Sequence, residues 1–249
     1  MTDALLSALR QSDPDRHAMA LLAPAEARAR LVTLYALNLE LARAPLGARD
    51  PVLAQIRVQW WIDHLTALDH AQPPAHALLQ AVHEAWGRDA AMLAPLAQAR
   101  LRDAEREPFG SAEALEHYVD RTAGTLMRLA ARAVRMPAAA YPVVDAQAMG
   151  AGLSAWLMAE PALAALGLGL QDPALRRGLA DSGMAAFLSA ATGRRAVPRG
   201  LGAVLYPGAA AGRALRRLAR GQGPEPPSDF LRRLGTARLA ISGRWWVDH

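Results

Sequence analysis

The sequence predicts an all-α protein folded as one large helical domain, and three observations carry that expectation. Hydrophobic residues make up 52% of the 249 positions, enough to bury a sizeable core. Aromatic residues are only 5%, and Val, Ile, Phe and Tyr are sparse, whereas the helix formers Ala, Leu and Arg dominate. Proline, glycine and small capping residues punctuate the chain at intervals that suit helices.

Residues 2–11 read as a short leading helix, and residues 1–12 as a leading segment. Asp13-Pro14-Asp15 breaks that helix and caps the next, proline being favoured in a first helical turn. Pro24-Ala25-Glu26 starts a helix to about Ala44, closed by Pro45 and Gly47, with Leu31, Leu34, Tyr35 and Leu37 at helical spacing. Asp50-Pro51 opens a helix to about Leu68, and Pro73-Pro74 precedes one to about Asp89. Helices follow over about 93–106 and, from Ser111, over about 111–136 up to Pro137. Tyr141 to Leu157 reads as a buried helix, and the Gly- and Pro-rich stretch 161–173 as a break. The remaining helices are expected over 174–192, 201–220 and 228–243, with Gly221 to Pro227 as a loop. There is neither an internal repeat nor a long linker.

All 28 basic residues are arginine, which biased codon use explains without a selected role. Charge is placed unevenly. Residues 1–193 hold 17 Arg against 20 acids, while residues 194–249 hold 11 Arg against 3. The basic C-terminal helices suit an anionic lipid surface or an acidic partner, or form a solvated face. The chain lacks cysteine, which excludes disulfides, thiol catalysis and Cys-ligated zinc. The N-terminus shows no signal-peptide pattern, and the most apolar run, Ala148 to Leu170, is interrupted by Glu160-Pro161 and glycines. A cytoplasmic location is expected, peripheral at a membrane at most. The arginine-rich tail lacks interleaved aromatics, so no nucleic-acid partner is expected.

Three blocks occur in order over residues 13–136. The first is Asp15-Arg16, Leu22 to Arg28 (LAPAEAR), and Leu34-Tyr35-Ala36-Leu37-Asn38-Leu39-Glu40. The second is Ile56-Arg57-Val58-Gln59-Trp60-Trp61. The third is Ala99-Arg100 with Asp103, then Tyr118-Val119-Asp120-Arg121-Thr122-Ala123-Gly124-Thr125-Leu126. Together they resemble the squalene/phytoene synthase family, the Arg-Val-Gln-Trp-Trp block being the specific one; the tail 194–243 fits loosely. The resemblance implies an isoprenoid-synthase-like helical bundle. It also implies a reaction in which Mg²⁺ ions hold prenyl diphosphates, offset their charge and make pyrophosphate a competent leaving group. Aspartates four residues apart on facing helices serve this in active relatives, since such residues share a helix face.

The chain departs from that pattern at both metal motifs. Where active relatives place Asp-Asp-x-x-Asp it has Ala42, Arg43 and Leu46, and the second motif falls on Leu157-Met158-Ala159-Glu160-Pro161. No D-x-x-x-D occurs anywhere. Catalytic, cofactor and metal residues are therefore expected to be absent, Mg²⁺ entering only if the chain is a prenyltransferase with altered ligands. A divergent branch of the family also lacks these aspartates and keeps a Tyr-Ala-Phe-Asn-x-Glu motif. It includes an assembly factor of mitochondrial respiratory complex I. Asn38 and Glu40 are similar to that branch, which implies a binding role with complex I subunits as partners.

Asn38, Glu40, Arg57, Trp60, Trp61, Asp103, Tyr118, Thr122 and Gly124 are thus the candidates for an old cavity or a structural motif. Glu40 and Arg57 sit in apolar helical patterns, so they are expected to point into that cavity or to pair with each other. Adjacent residues on a helix diverge by about 100°, so Trp60 and Trp61 are expected to pack in the core rather than face one pocket. Asp103 and Glu107 form an i,i+4 carboxylate pair, but Pro108 follows and points to a helix end. Glu113, Glu116 and Asp120 share a face, expected to be solvated with arginine partners such as Arg121. His64, His70, His76 and His83 are too scattered for a metal site. Thr122-Ala123-Gly124-Thr125 is expected to permit close helix packing. Arg213, Arg216, Arg217 and Arg220 alternate with leucines, as at a membrane or partner surface or on a helix covering the core.

Overall fold

The computed structural model describes residues 2–48 and 50–248, and these hold thirteen α-helices with short 3₁₀ turns between them. No strand occurs among the described residues; one isolated bridge joins Phe109 and Leu170. Backbone packing divides the chain into two compact units, Met1–Arg106 and Glu107–His249. The division falls at Arg106, whose φ of 55° is left-handed, next to Glu107-Pro108.

The first unit contains α1 (Thr2–Ser12), α2 (Pro14–Leu22), α3 (Arg28–Arg43), α4 (Pro51–Ala67), α5 (Ala77–Trp86), α6 (Ala94–Ala99) and α7 (Leu101–Glu105). The predicted caps form. The Asp13 carboxylate accepts from the Arg16 amide at 3.0 Å, and Asp50 accepts from the Val52 amide at 2.8 Å. Helix α3 is buried along most of its length and packs on α1 and α5. Its Thr33 hydroxyl and Arg30 carbonyl both accept from the Trp86 indole N–H, at 3.2 and 3.3 Å, and the Arg30 guanidinium lies over the same ring at 5.2 Å. The helix expected over 93–106 is two pieces, because Arg100 makes a 3₁₀ turn to Ala97.

The second unit contains α8 (Ala112–Val119), α9 (Thr125–Ala133), α10 (Tyr141–Ala164), α11 (Leu175–Gly193), α12 (Ala211–Ala219) and α13 (Asp229–Ser242). Its core gathers Phe109, Leu153, Trp156, Phe187 and Leu215 around α10. Helix α10 runs past the expected stop at Leu157, with Pro161 inside it. The turn holds because Leu157 and Glu160 are buried and the Glu160 carboxylate is fastened to Arg176 of α11. The expected helix over 201–220 is also two pieces, a 3₁₀ segment Arg199–Leu205 and α12. Pro207 lacks a donor and Gly208 adopts φ 93°, which breaks the helical ladder between them. The helix expected over 111–136 is continuous but contains one π turn, Asp120–Gly124.

Candidate functional site

Within the first unit, the C-terminal part of α3 and the middle of α4 enclose an open pocket of about 440 Å³. It is lined by Glu40, Arg43, Ala44, Ile56, Arg57, Trp60 and Trp61. Glu40 and Arg57 both line it, but neither is buried there. Nor does Glu40 pair with Arg57. Its carboxylate is 3.4 Å from Arg43, one turn along α3, while the Arg57 guanidinium lies over Gly47, 2.5 Å from where a Cβ would stand. Asn38 is buried on α3.

Both tryptophans line this one pocket, which corrects the argument from helix geometry. Their long indoles turn toward each other and meet edge to face with centroids 5.0 Å apart, closing the angle between their Cα–Cβ bonds. Trp61 is buried and Trp60 partly exposed. Two histidines complete an aromatic cluster that the sequence spacing did not reveal. His76, at the N-cap of α5, lies 5.4 Å from Trp60 and 5.1 Å from Trp61; His64 lies 4.2 Å from Trp60 and donates from Nδ1 to its carbonyl at 2.7 Å. Contacts with the two indoles, from within α4 for His64 and from the N-cap of α5 for His76, therefore account for these histidines.

The residues at the two expected metal motifs do not fit Mg²⁺, which requires near-octahedral oxygen ligation. The charged lining of the pocket is two guanidiniums and one carboxylate, and that carboxylate is engaged by Arg43. In the second unit, Glu160 is buried with its side chain 3% exposed, and Arg176 takes its Oε2 through Nη2 at 2.8 Å and Nε at 3.1 Å. Pro161 beside it offers no ligand. Among the described residues no three His, Cys, Asp or Glu side chains group closely enough to hold a metal. The Glu160–Arg176 pair escaped sequence reasoning; its one signal is a lone carboxylate inside the apolar run 148–170.

Asp103, in the first unit, is buried and pairs with Arg100 at 3.1 Å. Helix α7 ends before Glu107, so the i,i+4 carboxylate pair has no common helix face. In the second unit, Tyr118 packs on Phe109, centroids 5.3 Å apart, and Phe109 on Trp156 at 5.5 Å. The Thr122 hydroxyl donates to the Tyr118 carbonyl at 2.8 Å, back along the π turn. Asp120 pairs with Arg128 at 2.7 Å rather than with the expected Arg121, and Arg128 also reaches Asp145 at 3.1 Å. Gly124 makes room for this pair, since a Cβ there would stand 2.7 Å from the Asp120 carboxylate. On α10, Gly152 meets the same segment, a Cβ there standing 2.5 Å from Val119 and 2.7 Å from Ala123. The Thr-Ala-Gly segment thus serves close helix packing. Glu113 is exposed, and its own backbone N–H and the Ser111 hydroxyl hold its carboxyl below the usual range.

Helix α12 is the basic helix expected to face a membrane or cover the core. It covers the core: Ala211, Ala214, Leu215 and Leu218 are buried. Arg213 and Arg220 are exposed, Arg217 pairs with Glu225 at 3.3 Å, and Arg216 donates to the Asp248 carbonyl at 3.0 Å. Arg213 and Arg216 line a second pocket, about 300 Å³, together with Arg238 and Arg244. Burial, then the neighbouring Arg238 and Arg194, pushes the Arg244 guanidinium below its ordinary range.

A helical bundle with a tryptophan-lined pocket beside an Arg-Val-Gln-Trp-Trp helix and a packed Tyr-x-x-x-Thr-Ala-Gly helix invites comparison with known proteins. A crystal structure of a dehydrosqualene synthase in complex with ligand superposes with a TM-score of 0.67, covering 96% of this chain and 94% of that one. At 12% identity that likeness shows the all-α isoprenoid synthase fold. No curated protein matches the sequence significantly. The family profile described as squalene/phytoene synthase matches residues 9–172, about two thirds of the chain and both blocks that build these packed helices, so the chain belongs to the squalene/phytoene synthase family.

Proposed function

We propose that this family member works by binding rather than by prenyl transfer, in the assembly of respiratory complex I. The observation that carries the first part is Arg43. It occupies a position where a metal-binding aspartate is needed, and it holds the pocket's one carboxylate, Glu40, at 3.4 Å. A guanidinium there repels Mg²⁺ and leaves a diphosphate without the ion that makes it a leaving group. The pocket's tryptophans suit an apolar chain, a lipid or prenyl group, held without chemistry. Complex I subunits as partners rest on the family resemblance of Asn38 and Glu40. A cytoplasmic location, peripheral at the inner membrane, belongs to the same reading; among the described residues no helix is long and apolar enough to cross a membrane.

Incubation with farnesyl or geranylgeranyl diphosphate and Mg²⁺ is expected to release no pyrophosphate above a protein-free control. Metal-dependent release would overturn the non-catalytic reading in favour of a prenyltransferase with altered metal ligands. Affinity capture from cells is expected to enrich complex I subunits. Their absence from the captured material would remove the assembly role alone.

A further inference from the structure

Helix α13 is covered on one face only. Leu239 is buried beneath it, whereas Phe230, Leu234 and Ile241 are 72%, 53% and 88% exposed. With exposed Ala237 they recur at spacings of four, three and four residues, a straight apolar ridge about 16 Å long, directly opposite Leu239. Arg233 and Arg238, both exposed, stand about 70° to either side of the ridge. The helix has one acid, Asp229, in its first turn, where the helix dipole favours it.

We propose that the outer face of α13 is a docking surface for an anionic phospholipid bilayer. A convex ridge of large apolar side chains needs no complementary groove in an acyl layer, and arginines on both flanks reach lipid phosphates while their stems follow the apolar boundary. Charge argues for this occupant. Residues 194–249 carry 11 Arg against 3 acids, so two copies meeting through α13 would set arginine against arginine. The surface lies one helix beyond α12, whose apolar side is spent on the core. The inference names a surface for the peripheral location proposed above and rests on that reading; failure to bind vesicles would remove this surface, whereas loss of complex I subunits from the captured material would remove the assembly role.

The full chain is tested by co-sedimentation with vesicles of phosphatidylcholine, with and without phosphatidylglycerol, at low and high salt. Binding is expected only to the anionic vesicles and to weaken with salt. Arg233→Gln with Arg238→Gln is expected to lower the partition coefficient about 30-fold. Phe230→Ser with Ile241→Ser is expected to lower it on the order of 100-fold. These side chains are exposed, so both variants should melt with the parent protein, which separates loss of docking from loss of fold. Failure of the parent protein to bind anionic vesicles at low salt overturns the proposal, as does equal binding to neutral vesicles or indifference to both variants. A dimer in light scattering that Phe230→Ser with Ile241→Ser dissolves would reassign the face to self-association. Binding to polyglutamate without binding to vesicles would reassign it to an acidic protein.

Discussion

Removing the charge of Arg176 should destabilise the second unit more than removing the charge of its buried partner, Glu160. The carboxylate is 3% exposed and the guanidinium 41%, and the closest N···O distance is 2.8 Å. Across that distance, at an effective dielectric of about 20, the attraction is about 6 kcal/mol before desolvation and screening. Because the arginine is well over a third exposed, screening and its side-chain entropy reduce the net coupling to about 2 kcal/mol. The two ends are not equivalent. Arg176→Met keeps a stem over the carboxylate and strands a buried charge, at a cost of about 3 kcal/mol. Glu160→Gln strands no charge, because the guanidinium is partly hydrated, and its amide oxygen still accepts from Arg176, at a cost of about 1 kcal/mol. The double variant should fall between the two single variants, at about 2 kcal/mol: no charge is stranded, but the buried amide has lost its donor. Urea unfolding of the four proteins of the cycle, followed by circular dichroism, gives these differences. If Arg176→Met falls within about 0.5 kcal/mol of the parent, or if the order of the single variants is reversed, the carboxylate is hydrated and the account of why α10 continues through Pro161 is wrong.

Tyr35→Phe should raise stability by about 1 kcal/mol in urea unfolding, because the buried Tyr35 hydroxyl has no hydrogen-bond partner. Burial raises the Tyr35 pKa, so the unfolded chain loses that proton first; stability is full below pH of about 10 and falls above it, and the slope should flatten in Tyr35→Phe. Gly152→Ala should cost about 1–3 kcal/mol despite alanine's better helix propensity, since its Cβ would meet Val119 and Ala123; an unchanged urea midpoint would contradict that packing. Glu40→Ala and Arg57→Ala should be additive within about 0.5 kcal/mol, Glu40 being paired with Arg43 instead; a larger coupling would restore the direct pair.

Most of the helices were legible because their ends are chemically marked. Asp13, Asp50, Ser111 and Ser228 each stand one residue before a helix and each accepts a backbone amide there. The failures fall where tertiary packing outweighs a local signal. Pro161 reads as a stop, yet burial and the Arg176 contact hold the turn around it. The apolar residues of 201–220 read as one helix, yet Pro207 and Gly208 divide them. The site was less legible still. Trp60 and Trp61 were read from their Cα directions alone, and side chains as long as indoles are not bound by those directions. His76 joined them from another helix, and no spacing along the chain encodes such a contact.

The two signature segments survive in this chain for different reasons, and that difference bears on function. Tyr118 to Gly124 can be accounted for by packing: the Thr122 hydroxyl closes on Tyr118, Gly124 accommodates the Asp120–Arg128 pair, and Gly152 of α10 closes on Val119 and Ala123. That packing accounts for these residues whether or not the protein is an enzyme. The Arg57 and Trp60 positions are otherwise. Both lie at an open pocket, Trp60 is partly exposed beside the buried Trp61, and Arg57 makes no ion pair with Glu40. Stability of the first unit does not explain an exposed tryptophan beside an exposed arginine at the mouth of a pocket. A bound apolar or anionic group would explain it, in keeping with the binding role proposed above.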